Sequence, residues 1–226
     1  MDQNLTNITG KIKTAKILKQ KNIQEQQQHQ AELAQGQKPE RVPPGQRLLN
    51  DRSSFPVLDL GVRPEFNPET YKFIVFGLVE NPLEWGYQDV LAKLPKSYLT
   101  ADFHCVTRWS QYDIEWAGFK YLDLEKLIKP KPEAKFVIQY GLDDYSTNVP
   151  IDDLRHDNVL FAYELHGKPL PREHGWPLRL IIPRLYGWKG AKFLFKLKFQ
   201  DHDEPGFWET RGYHNHGDPW KEERYG

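Results

Sequence analysis

The chain has 226 residues, with 31 Lys and Arg against 31 Asp and Glu. Its formal charge is therefore zero, without the basic excess of a nucleic-acid-binding protein. The single cysteine excludes an intramolecular disulfide and fits a reducing compartment. No apolar run approaches the ~20 residues a membrane span requires. The opening MDQNLTNITGKIKTAKI shows neither an apolar leader core nor paired arginines, so the expectation is a cytoplasmic chain.

Residues 1–46 read as a flexible or loosely helical arm. They hold Lys11, Lys13, Lys16 and Lys19, a Gln-rich run from Gln24 to Gln30, and no aromatic residue. A weak apolar face (Ile8, Ile12, Ala15) dies out by Gln26, and Pro43-Pro44-Gly45 closes the arm with a turn. Every Trp, Tyr and Phe falls after residue 54, so one domain is expected over 47–226. Within it, 71–80 reads as a strand, Asn81-Pro82 as a turn, and 87–94 as a short helix closed by Pro95. Residues 98–106 read as a strand carrying Cys105 at its end, and 121–128 as an amphipathic helix stopped by Pro130. Strands follow at 135–140, 159–165, 178–183 and 191–199; in the last, Phe and Leu alternate with Lys, giving one buried and one cationic face. Strands dominate, so the predicted class is α+β, mostly β.

Four segments carry chemistry. In DFHCVTRW (102–109), His104 and Arg108 flank Cys105; cationic neighbours favour the thiolate, and soft metals take thiolate ligands. A small buried hydrophobe behind a strand looks the same. Adjacent strand residues face opposite ways, which disfavours a direct Cys105–His104 hydrolase pair. In 165–183, Gly167, Pro169, Pro171, Gly175 and Pro177 make a stiff loop that ends on His174 and Arg179. In LYGWKGAKFLFK (185–196), Gly187 and Gly190 permit close backbone approach, and Lys189 and Lys192 add charge, a combination that suits a phosphate. Tyr145 either presents a phenol to a pocket or packs at a strand end. His214, His216 and Asp218 lack the second cysteine or spaced histidine pair of a zinc site and read as a loop ordering the C-terminal residues against the core.

Taken together, DFHCVTRWS, YSTNVP, LFAYELHGKPLPREHGWPLRLIIP and YGWKGAK resemble the molybdenum-cofactor domain of the sulfite oxidase family over about residues 42–226. The flanking VPPGQRLL…FPVLDLG and GYHNHGDPWKEERY are similar to its small, single-domain branch. The resemblance implies mixed sheets with short helices and a molybdenum–molybdopterin (Mo-pyranopterin) cofactor. It implies that the Cys105 thiolate is the metal's protein ligand, that His174 and Arg179 hold the pterin, and that Gly190, Ala191 and Lys192 form the phosphate turn. It implies a cofactor contact at Asp143, a Tyr145 phenol facing the metal's oxo ligands, and an N-terminal cofactor loop near Arg52 to Val57. Arg108 near the metal would favour an anionic substrate, and His104 beside the ligand would tune the thiolate. The implied activity is two-electron oxygen-atom transfer on a small oxyanion or sulfoxide-type substrate; a cofactor-binding or carrier protein without turnover is the alternative. With no CxxCH and no haem domain, a separate electron donor or acceptor protein is expected. The C-terminal domain of animal-type sulfite oxidases has no counterpart here, which weighs against sulfite itself.

Overall fold

Alternating apolar residues fix the strands, which assemble into two mixed sheets in the computed structural model; it describes residues 41–49, 55–61 and 63–226. In chain order the elements are β1 (Arg47–Leu48), β2 (Lys72–Gly77), β3 (Leu83–Gly86), α1 (Tyr87–Ala92), β4 (Ser97–His104) and β5 (Trp109–Lys120). Then come α2 (Tyr121–Ile128), β6 (Phe136–Gly141), β7 (Ser146–Pro150), α3 (Ile151–Leu154), β8 (Leu160–Leu165), β9 (Lys168–Pro169), β10 (Arg179–Ile181) and β11 (Leu194–Gln200). The class is α+β, mostly β, as the sequence led us to expect.

The first sheet runs β1-β5-β8-β10, with β4 also on β5 and β9 on β8. The second runs β3-β2-β11-β6-β7, its β2–β11 pair parallel and the others antiparallel. The 12-residue β5 pairs with β1, β4 and β8, yet no strand was predicted there. Its sequence WSQYDIEWAGFK hides the alternation: Ser110 and Gln111 are buried, Asp113 takes φ 53°, and a bulge precedes Gly118. Glycine is required at 118, because a Cβ there would lie 1.8 Å from the Phe161 carbonyl oxygen.

The main core lies between the sheets. Phe73 of β2 packs on Phe119 of β5 and Phe161 of β8, ring centroids 6.4 and 5.9 Å away, and α2 adds Tyr121, Leu124 and Ile128. Each such side chain contributes about 1.5–3 kcal/mol by leaving water. The other face of the first sheet carries Trp116, Ala162 and Ile181, covered by Phe55 and Phe103. A smaller cluster around Cys105, Trp109, Trp188 and Tyr213 adjoins it.

Packing begins before the expected boundary at residue 47. Arg41 pairs with Asp102 and Asp113, and Val42 is buried. The rest of the predicted arm, residues 1–40, lies outside the described residues. No helix among the described residues is long and apolar enough to cross a membrane.

Candidate active site

β4 ends at His104, and the chain turns through Cys105–Arg108 into β5. The turn closes because the Cys105 N–H donates to the Trp109 carbonyl (2.9 Å) and the Arg108 N–H to the Cys105 carbonyl (3.1 Å). Arg108 sits at φ 69°, which reverses the chain sharply. Cys105 thereby faces a cleft of about 900 Å³, part of it continuous with solvent. The free thiol lies 3.1 Å from the Thr107 hydroxyl. Burial pushes its pKa up, against the pull of Thr107 and the more distant Lys192 and Arg224 charges.

Seven other residues singled out in the sequence reach the same cleft: Asp143, Tyr145, His174, Arg179, Gly187, Gly190 and Lys192. Arg179 begins β10 and is 2% exposed. It donates to the His174 carbonyl (3.0 Å) and lies over the Phe103 and Trp116 rings, but its Nε has no hydrogen-bond partner. Burial lowers its pKa to about 10. His174, in a 3-10 turn, packs its ring 4.9 Å from Phe55, and its Nδ1 is also unpartnered. Burial, then Arg179 and Lys192, hold it neutral with a pKa of about 4. Lys192 donates to the Leu58 and Glu173 carbonyls (2.7 and 3.1 Å). Burial and the Arg179 charge bring it down to about 7. A buried donor without a partner costs roughly 1–3 kcal/mol, so these groups are suited to an anionic or acceptor-rich ligand that binds here.

Other residues singled out in the sequence make different contacts. Ala191 is fully buried and does not line the cleft; its N–H donates to the Gln139 side chain (2.9 Å). That glutamine also donates to the Lys189 carbonyl (2.8 Å), so it fixes the whole 189–191 turn. Gly190 is needed for packing, since a Cβ there would meet the Leu180 carbonyl at 2.0 Å. Lys189 is outside the cleft lining. It is fully buried and pairs with Glu209 (2.7 Å), Asn148 (2.9 Å) and the Asn215 carbonyl (2.8 Å). His104 and Arg108 are buried outside the cleft lining. Strand alternation turns His104 away from its neighbour, to Ser110 (2.8 Å) and the Trp220 ring. Arg108 points to the Gly45, Glu222 and Arg224 side, where burial and Arg224 lower its pKa. The Tyr145 hydroxyl donates to the Trp188 carbonyl, and burial keeps it protonated. Of the expected loop near Arg52 to Val57, Arg52–Ser54 lie outside the described residues, while Phe55 and Pro56 line the cleft.

The aromatic wall of the cleft beside the thiol was not foreseen. Trp188, Trp208 and Tyr213 form it, with Tyr213 4.8 Å from the Trp208 ring and 5.2 Å from Trp188. Glu209 holds Trp188 by its indole N–H (3.0 Å) and accepts from Thr147 (2.9 Å). Downstream, His216 bridges Asp153 (2.9 Å) and Glu223 (3.0 Å), tying the histidine loop to α3, and no metal cluster exists among the described residues.

Comparison with known proteins agrees with this geometry. The model of the oxidoreductase molybdopterin-binding domain matches residues 60–208. The uncharacterized oxidoreductase YuiH of Bacillus subtilis is 41% identical over 186 residues, 82% of this chain and 92% of that one. The protein-methionine-sulfoxide reductase catalytic subunits MsrP of Ralstonia nicotianae and Campylobacter jejuni are 28% and 30% identical over 66% and 64% of this chain. The chain spans about half the length of those two, 50% and 54%. Among solved structures, the sulfane dehydrogenase SoxCD of Paracoccus pantotrophus aligns with a TM-score of 0.55 and 26% identity, covering 62% of this chain and 40% of that one.

Proposed function

The chain belongs to the molybdopterin-binding oxidoreductase family, and from that premise we propose that it reduces or oxidises a small, neutral, sulfoxide-type substrate at the cleft above Cys105. One observation carries this reading: the only cysteine converges on a single cleft with Lys192 and with two buried nitrogens, Arg179 Nε and His174 Nδ1, that lack partners. The donor set fits the cofactor. Cys105 would ligate molybdenum as a soft thiolate. Arg179 and His174 would donate to the pterin, and Lys192 would hold the phosphate beside the Gly190 turn. When bound, the molybdenum–pterin group supplies two-electron oxygen-atom transfer.

The chain's own residues do the rest. Val106, Trp188, Trp208 and Tyr213 exclude water and offer an apolar wall beside the thiol. Aromatic faces attract sulfur, at about 0.3–1.5 kcal/mol per contact. Arg108, the cation that would recruit an oxyanion, points away from the cleft, and Arg179 and Lys192 are assigned to the cofactor. A sulfoxide therefore suits the wall better than sulfite does. The sulfur chemistry named for the methionine-sulfoxide reductase and sulfane dehydrogenase relatives supports the same reading. Tyr145 keeps its proton and fixes the Trp188 backbone. A separate protein exchanges the electrons. A reducing cytoplasm suits the reading, because Cys105 must stay a thiol until the metal arrives.

The test is metal analysis and turnover of purified wild type beside Cys105→Ser, with a dye as the electron carrier. Near-stoichiometric molybdenum and pterin, an altered molybdenum spectrum in the variant, and turnover of sulfoxides in preference to sulfite are expected. Molybdenum that never changes oxidation state with any sulfur substrate would make the chain a carrier. Absence of molybdenum after expression in a cofactor-competent host would end the proposal.

A further inference from the structure

The Cys105 turn is gripped by two side chains far from it in sequence. Gln46, 1% exposed, donates through Nε2 to the Cys105 carbonyl (2.9 Å). Arg224, 2% exposed, donates through Nη1 to the Val106 carbonyl (3.2 Å) and through Nη2 to the Pro44 carbonyl (3.1 Å). Its guanidinium lies 4.9 Å from the centroid of the Tyr186 ring, beside the cleft's aromatic cluster. The Arg47 N–H, one residue from Gln46, donates to the Arg108 carbonyl at the end of the turn (2.9 Å). Three of the turn's four carbonyls, at Cys105, Val106 and Arg108, are thus held from outside the turn. Residues 46 and 224 both lie outside the region 60–208 that the family model matches.

We propose that Gln46 and Arg224 are positioning residues that clamp the Cys105 turn and so fix the direction in which the thiol enters the cleft. The idea rests on the reading that Cys105 is the metal's ligand, but the clamp itself is a property of the polypeptide. A turn with only its two internal hydrogen bonds leaves the Cys105–Arg108 peptide planes free to rock. A thiol on a rocking turn meets a bound metal over a spread of angles, and a site about 1 Å too loose loses its function. Arg224 is suited to the task because one planar guanidinium reaches two carbonyls from different segments at once. Neither residue lines the cleft. Gln46 is uncharged and acts on the thiol through the backbone contact alone, whereas the Arg224 charge also lowers the Cys105 pKa, so Arg224→Lys, which keeps that charge, is the informative variant there.

The experiment uses the full chain in Gln46→Met, Arg224→Lys and Arg224→Met forms, with Tyr71→Phe as the control. Tyr71 donates to the Leu194 carbonyl (2.6 Å) deep in the main core, remote from the turn, so its loss lowers stability without loosening Cys105. Two quantities are read. One is the alkylation rate of Cys105 in cofactor-free protein; the other is the spectral width of the half-reduced molybdenum signal in loaded protein. Each lost hydrogen bond should raise alkylation about fivefold, with a broadened signal, while Tyr71→Phe leaves both unchanged at a similar fall in melting temperature. Arg224→Lys should lie between wild type and Arg224→Met. If Arg224→Met does not fold, Gln46→Met decides alone. Alkylation within twofold of wild type in folded Gln46→Met overturns the clamp. A clamp effect on alkylation together with no spectral change in Cys105→Ser would keep the clamp and remove the ligand assignment, so the two failures are distinct.

Discussion

Raising the pH of the cofactor-free chain from neutral to about 9 stabilises it, and Lys192→Met removes most of that gain. In the folded chain Lys192 gives up its proton near 7, against an ordinary value of 10.5. Between those limits the unfolded chain binds more protons, so stability rises with pH. The penalty for burying the charged amine is complete below about 7 and gone above 10.5. The full effect is about 1.4 kcal/mol per pH unit. Across this interval it amounts to about 2 kcal/mol, and residual water at the cleft brings it to about 1–2 kcal/mol. Urea unfolding of wild type and Lys192→Met at both pH values isolates the term, because every other group titrates in both proteins. Loading the cofactor should flatten the wild-type dependence, since a phosphate beside Lys192 favours its charged form. Parallel pH dependences for wild type and Lys192→Met without cofactor would refute the assignment of Lys192 as a buried amine awaiting an anion.

The Lys189–Glu209 pair yields a second expectation. Lys189→Met strands a buried carboxylate and should cost about 3–5 kcal/mol, whereas Lys189→Met with Glu209→Met should recover part of that loss. Urea midpoints check both, and a double variant no more stable than the single one would contradict the pairing. His216 provides a third. Asp153 and Glu223 raise its pKa above 6.5, so its contribution is complete below 6.5 and fades as pH rises through the higher folded value. Amide protection factors over residues 213–226, taken relative to the intrinsic exchange rate at each pH, should therefore be larger at acid than at mildly alkaline pH. The difference should be about 1 kcal/mol or less, given the partial exposure of the side chain. The His216→Gln variant should lose the pH dependence.

Much of the fold can be read from the chain, because local signals agree with the packing. Helix 121–128 was expected with its observed limits, since its apolar stripe, Tyr121, Leu124 and Ile128, is one face at helical spacing and Pro130 ends it. β5 escaped because buried Ser110 and Gln111 imitate a polar surface, and its bulge shifts the alternation. The site was partly visible in the same way. Cys105, His174, Arg179 and Lys192 stand in segments whose resemblance is carried by contiguous residues, and all four reach one cleft. The aromatic wall was invisible, because Trp188, Trp208 and Tyr213 become neighbours only through long-range packing. Orientation was equally hidden. Which of Lys189 and Lys192 meets the cleft depends on Gln139, fifty residues upstream of Lys189. Whether Arg108 faces the thiol depends on one left-handed residue in a turn.

The division of the cleft between early and late parts of the chain sets an order of events at the ribosome. Synthesis runs from the N-terminus, so the segment bearing Cys105 is made before Trp188, Trp208, Tyr213 and Arg224 exist. Until those residues emerge, the thiol stands uncovered on an unfinished sheet. The cleft is therefore completed only when Arg224 and its neighbours leave the exit tunnel, so a cofactor that needs the whole cleft would bind after that moment rather than during translation.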